Sequence, residues 1–275
     1  MKKVLTWFFL IILFAPELPA QSIGTYLGDE EILNAQTKQV NQFFRRFNCE
    51  ESTQGERYYP GDKLYRDPVL REKYLNILFD NENYLLSDEI KETFIDYVLD
   101  EDNQRFLEFH GGDWFAEVST RFRWKGEEMP VILFMKLQEE EIGSKWVLTN
   151  VYFSPFEELF FNGGTEDQKF LHPLSHELDF MNLITVFKDA EFVELYTSRE
   201  YKPDYLTLFI YEIKQKNLEF MNVQKVKFHF FQIDRWYFEL EEFNREGANA
   251  GWLISRLLKI SDNDKKILMN YIYHE

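Results

Sequence analysis

From Trp114 to Trp124 the chain alternates: Trp114, Ala116, Val118, Thr120, Phe122 and Trp124 on one parity, Phe115, Glu117, Ser119, Arg121 and Arg123 on the other. A period of two places the two sets on opposite faces of a strand, so the pattern predicts a half-buried strand. Lys125-Gly126-Glu127 turns the chain, and Val131, Leu133, Met135 and Leu137 alternate on the way back. Glu139 to Ser144 forms a second turn and Lys145 to Phe153 a third strand. Such one-sided alternation is the mark of antiparallel strands with one face on a core. It recurs later: Val226, Phe228 and Phe230 alternate with Lys225, Lys227 and His229, Asp234-Arg235 turns, and Trp236, Phe238 and Leu240 return. After Gly247 to Gly251, Trp252 to Leu258 completes a second meander that begins near Leu218.

Helices precede each meander. Ile32, Leu33, Val40, Phe43, Phe44 and Phe47 fall at helical spacing within Glu30 to Glu51. Leu70 to Phe79 makes a short helix, and Ser87 caps another with Ile90, Phe94, Tyr97 and Val98 as its stripe. From Ser154 to Pro173 the periodicity stops at Pro155, Gly163, Gly164, Thr165 and Pro173, which predicts a linker. Ser175 then caps a helix to about Lys188, Tyr205 to Lys216 is helical, and Asp264 to Tyr273 adds a terminal helix. Short matches keep the same order: Leu107-Glu108-Phe109 with Leu218-Glu219-Phe220, Phe94-Ile95 with Phe209-Ile210, and the segment around Trp146 with that around Trp252. The expected fold class is α+β, as two tandem units of helices packed on a curved antiparallel sheet, at 28–160 and 173–275, joined by 161–172.

The first twenty residues carry an address. Lys2 and Lys3 precede the apolar run Val4 to Ala15, and Leu18-Pro19-Ala20 ahead of Gln21 reads as a cleavage site. Twelve helical residues span only about 18 Å, short of a bilayer core of about 30 Å. Residues 1–20 are therefore expected to be a signal peptide. The protein is expected to be exported to the periplasm, cell surface or medium, with no transmembrane segment after cleavage. Removing Lys2, Lys3 and Glu17 takes the net charge from −17 to −18. An acidic chain without a basic patch does not suit a phosphate backbone, so no nucleic-acid partner is expected. Cys49, alone in the sequence, allows neither an intramolecular disulfide nor a multi-cysteine metal centre.

No catalytic signature for acyl or phosphoryl transfer or metalloproteolysis occurs. His172 and His176 sit four apart, but Pro173 between them marks a helix entrance, where Glu177 and Asp179 suit the dipole. Neither a metal site nor a cofactor is called for. The candidate ligand-binding residues lie on the strands. Trp124 and Trp236 offer flat apolar surface to a sugar ring or apolar ligand. Thr120, Asn150 and Arg256 are polar groups on otherwise apolar strand faces, where an unpartnered group costs about 1–3 kcal/mol, and Tyr152 shares the Asn150 face.

Helices followed by a strongly curved antiparallel sheet resemble the plan of nuclear transport factor two-like domains, which share the cystatin-like α+β arrangement. In its aromatic content (28 Phe, 15 Tyr, 6 Trp) and its cleavage before Gln, the chain is also similar to exported proteins of gut Bacteroidetes. The resemblance implies a concave apolar pocket. The expectation is an exported, non-enzymatic binding or protein-interaction module for a small apolar or glycan ligand or a protein. The alternative is an enzyme of the same fold, an isomerase, dehydratase or hydrolase with a carboxylate acid/base. Sheet-to-sheet pairing of the units is a further possibility.

Overall fold

The computed structural model describes residues 40–52, 55–141, 143–160, 183–188, 193–194, 196–198, 200–245 and 249–274. The chain divides into Met1–Asn41 and Gln42–Glu275. Of the first unit only Val40 and Asn41 are described, both helical. The expected signal peptide (1–20), the joint 161–172 and His172, His176, Glu177 and Asp179 lie outside the described residues.

The fold is α+β. Helical residues 40–47 (α1), α2 (Pro68–Ile77) and α3 (Asp88–Val98) precede strands β1 (Trp114–Trp124), β2 (Glu127–Glu140) and β3 (Gly143–Tyr152). Then come α4 (Ser154–Phe160), α5 (Leu183–Lys188), α6 (Tyr205–Lys214), β4 (Leu218–Phe230), β5 (Trp236–Phe243), β6 (Gly251–Lys259) and α7 (Asp262–Tyr273). Ser87 caps α3 as its sequence predicts, its hydroxyl accepting from Ile90 N. Ser261 and Asp264 close a reciprocal capping box at the start of α7.

Both meanders lie in one antiparallel sheet of order β3-β2-β1-β4-β5-β6. They meet through their first strands. Trp114 faces Phe230 at one end of the β1–β4 ladder and Trp124 faces Leu218 at the other. Two of the short sequence matches fall at similar places relative to the two meanders. Phe94 and Phe209 are buried on the helices before each meander, and Trp146 and Trp252 lie on the third strands. Leu107 to Phe109 departs from this, forming no strand, whereas Leu218 to Phe220 opens β4.

The apolar parity of β1 defines one face of the sheet. At one end, Phe43, Phe47 and Phe94 pack on Phe230, Trp236 and Phe238, and the rings of Phe230 and Phe238 stack at 4.7 Å. At the other, Phe122, Val131, Val151, Phe153, Phe156, Phe209 and Leu218 bury one another beneath α4 and α6. A buried Phe contributes roughly 1.5–3 kcal/mol relative to exposure, so aromatics at these positions dominate the core. On the opposite face α7 lays Ile272, Leu268, Met269 and Tyr273 over Phe115, Phe134, Phe231 and Tyr237.

The aperiodic reading from Ser154 is corrected over Ser154–Phe160. Pro155 enters the first turn, where its missing N–H has no helical acceptor to lose, and Phe156, 1% exposed, anchors the short helix α4 to the core.

Candidate functional site

The β1–β2 hairpin and α4 frame a hollow of about 470 Å³, lined by Trp124, Lys125, Glu127, Met129, Ser154, Pro155, Glu158 and Leu159. Lys125 and Gly126 have φ of 51° and 89°, and Trp124 pairs with Glu127 across them, so the loop is a two-residue turn with both central residues left-handed. That turn fixes the indole at the strand end. One edge contact comes from Phe153, at 5.3 Å between ring centroids, and the Lys125 ammonium lies 4.0 Å from the indole centroid. Leu159 is 59% exposed on the α4 side. The volume falls within the ~300–1,000 Å³ of small-ligand sites, and the wall combines an aromatic plane, aliphatic surface and a few charges.

A second constellation lies on the opposite face, beneath and beside α7. His229 on β4 is 2% exposed, and its ring is held from both sides. Nε2 lies 2.9 Å from Glu117 Oε2 on β1, and Nδ1 2.7 Å from the Tyr237 hydroxyl on β5. Tyr237 donates to Glu239 Oε1 at 2.6 Å, and Arg256 on β6 donates to the same oxygen at 3.2 Å. Lys227 stands 3.7 Å from Glu239 and 3.4 Å from Glu241. Because the tyrosine proton is committed to Glu239, its oxygen accepts from His229 Nδ1–H. Nε2 faces the Glu117 carboxylate, so three polar contacts run in series along the row.

Electrostatics follow from this geometry. Burial pushes the Glu117 carboxyl up, but the His229 hydrogen bond and the charges of His229, Lys227 and His274 outweigh it and hold it below its ordinary value. Burial and the adjacent Glu239 carboxylate raise the Tyr237 phenol. Burial acts to lower the Lys227 ammonium, yet Glu239, Glu241 and Glu117 raise it overall. The row thus contains a carboxylate of reduced basicity, an imidazole with both nitrogens engaged and a phenol that stays protonated. It braces four adjacent strands and offers no free nucleophile.

The six residues expected from the sequence do not converge. Trp124 lines the hollow. Arg256 joins the polar row. Asn150 and Tyr152 lie on β3 on the same face as that row; the Asn150 side chain accepts from Val151 N, and the Tyr152 ring stacks on His274 at 3.8 Å. Thr120 is 2% exposed and donates to the Val131 carbonyl at 2.6 Å, satisfying its hydroxyl within the core. Trp236 is 1% exposed, with its ring 5.1 Å from Phe94.

Sequence reasoning missed Glu117, His229, Tyr237 and Glu239 because they occupy the charged parity of their strands, which reads as solvent-facing. One signal was available: Tyr237 is an aromatic residue on the same parity as Glu239 and Glu241. Leu159 was missed because it joins Trp124 only once α4 is folded, and Lys125 and Met129 because a turn residue and a partly buried strand residue carry no ligand signal of their own.

Among the described residues no group of three or more His, Cys, Asp or Glu is placed to hold a metal ion. No family model matches the chain, and no curated protein or solved structure is similar to it.

Proposed function

We propose that the chain is an exported, non-enzymatic binding module that holds a small apolar or glycan ligand in the hollow beside Trp124. The observation that carries this reading is the open indole-walled hollow between the β1–β2 hairpin and α4. A ligand ring takes the place of the Lys125 ammonium over the indole and rests on Met129, Pro155 and Leu159. Glu127 and Glu158 at the rim suit hydroxyl donors. Export rests on the basic, apolar and small-residue pattern of the first twenty residues. No helix among the described residues is long and apolar enough to cross a membrane. The tandem origin, and with it the likeness to nuclear transport factor two-like domains, rests on the repeated order of helix and meander and on the pairing of the two first strands.

The test is calorimetric titration of a panel of neutral oligosaccharides and small apolar ring compounds. A true ligand loses at least about tenfold in affinity, about 1.4 kcal/mol, in Trp124→Ala and keeps it in Glu117→Gln. A panel without a Trp124-dependent binder contradicts the reading.

The enzymatic alternative draws on one observation, the carboxylate–imidazole pair of Glu117 and His229. A ligand bound or turned over only when Glu117 is intact favours an isomerase, dehydratase or hydrolase.

A further inference from the structure

One strand edge stands apart from both sites. β4 pairs with β1 along its whole length, from Leu218 to Phe230. Its pairing with β5 covers only Lys227 to Phe230. Residues 218–226 therefore present, on the side away from β1, backbone N–H and C=O groups with no strand partner among the described residues. The outer edge of β6 is treated differently. There Ile254 N donates to the Leu78 carbonyl at 2.8 Å and Asp80 N to the Ile254 carbonyl at 3.0 Å, so the connection after α2 covers it.

An unpaired edge is a template for another strand, and edges meant for solvent carry charge or proline to discourage pairing. This edge carries the charges of Glu219 and Lys225, yet between them it also exposes Phe220 and Val223, at 51% and 41%. Apolar side chains beside free backbone groups specify an extended partner, because only an added strand satisfies both the hydrogen bonds and the side chains.

We propose that this edge is a self-association surface, with the partner a second copy of the chain adding its own β4 antiparallel to the first. Self-complementary charge singles out that occupant. A two-fold axis at Asn222 brings Glu219 of each copy opposite Lys225 of the other, and Phe220 opposite Gln224. Both charged side chains are accessible, 61% and 50% exposed, and lie on the same face of the sheet. Each contact occurs twice across the axis, as in a closed isologous dimer.

Sedimentation velocity of the whole chain over a concentration series tests this. At 0.15 M salt the charge repulsion between two acidic copies is screened beyond about 8 Å, and the expected result is a monomer–dimer equilibrium. Glu219→Lys or Lys225→Glu alone weakens the dimer at least tenfold. The two together restore most of it, since the exchanged charges again face each other across the axis. This rescue does not come from within a protomer, because the double variant breaks both the Arg123–Glu219 and Lys225–Glu241 pairs. Amide exchange provides a reading independent of substitution: protection at 219–225 rises with protein concentration. A chain that stays monomeric throughout, or exchange at 219–225 that is independent of concentration, overturns the proposal. So does a double variant with native circular dichroism that dimerises no better than the single ones.

Discussion

Glu117 carries the most informative titration among the side chains. Its folded pKa lies below its ordinary value of 4.5, so its contribution to stability is complete above that value and is lost as pH falls through the folded pKa. Glu117→Gln is expected to lower stability at pH 7 by about 1–3 kcal/mol and to flatten the acid side of the stability profile. Urea unfolding from pH 7 down to pH 3 reads both effects; an unchanged acid slope counts against the His229 contact. Tyr237→Phe keeps the ring and removes only the hydroxyl that joins His229 to Glu239. It leaves two buried polar atoms without that partner and is expected to cost about 1–3 kcal/mol, measured by urea unfolding at pH 7. None of this is visible in a strand read alone. Alternation places Glu117 and His229 on the polar face correctly, but whether that face meets water or another side chain depends on α7, which lies far along the chain.

Among the elements, those with a strong period were legible. β1 and its return strand, the Ser87 cap and the final helix follow from spacing and capping chemistry that act within a few residues. α4 was not, because seven residues are too few to show a helical stripe, and Pro155 and the glycines beyond it argue for a loop. What holds α4 is tertiary: Phe156 enters the cluster of Phe122, Val131 and Phe153. Phe156→Ala is therefore expected to cost about 3–5 kcal/mol. It should also open the hollow, seen as a red shift of indole emission that is absent when Trp124→Phe is added. A cost below 1 kcal/mol in thermal unfolding would show that α4 contributes little to the core.

For the molecule as a whole, each meander was legible as three strands, but their union was not. Pairing between β1 and β4 joins residues about a hundred positions apart and leaves no local mark, since each strand satisfies its alternation equally well in two separate sheets. The union matters for function because β1 ends at Trp124, so the hollow is positioned by the seam as well as by α4. Arg123 and Glu219 face each other across that seam on the exposed side, and Cys49, the chain's single cysteine, is fully buried and does not compete for oxidation. The measurement is oxidation of the double variant Arg123→Cys/Glu219→Cys, followed on non-reducing gels and by thermal unfolding. One continuous sheet predicts a bridge within each chain and a stabilisation of about 2–4 kcal/mol that reduction reverses. No bridge, or bridges only between chains, would contradict the single six-stranded sheet.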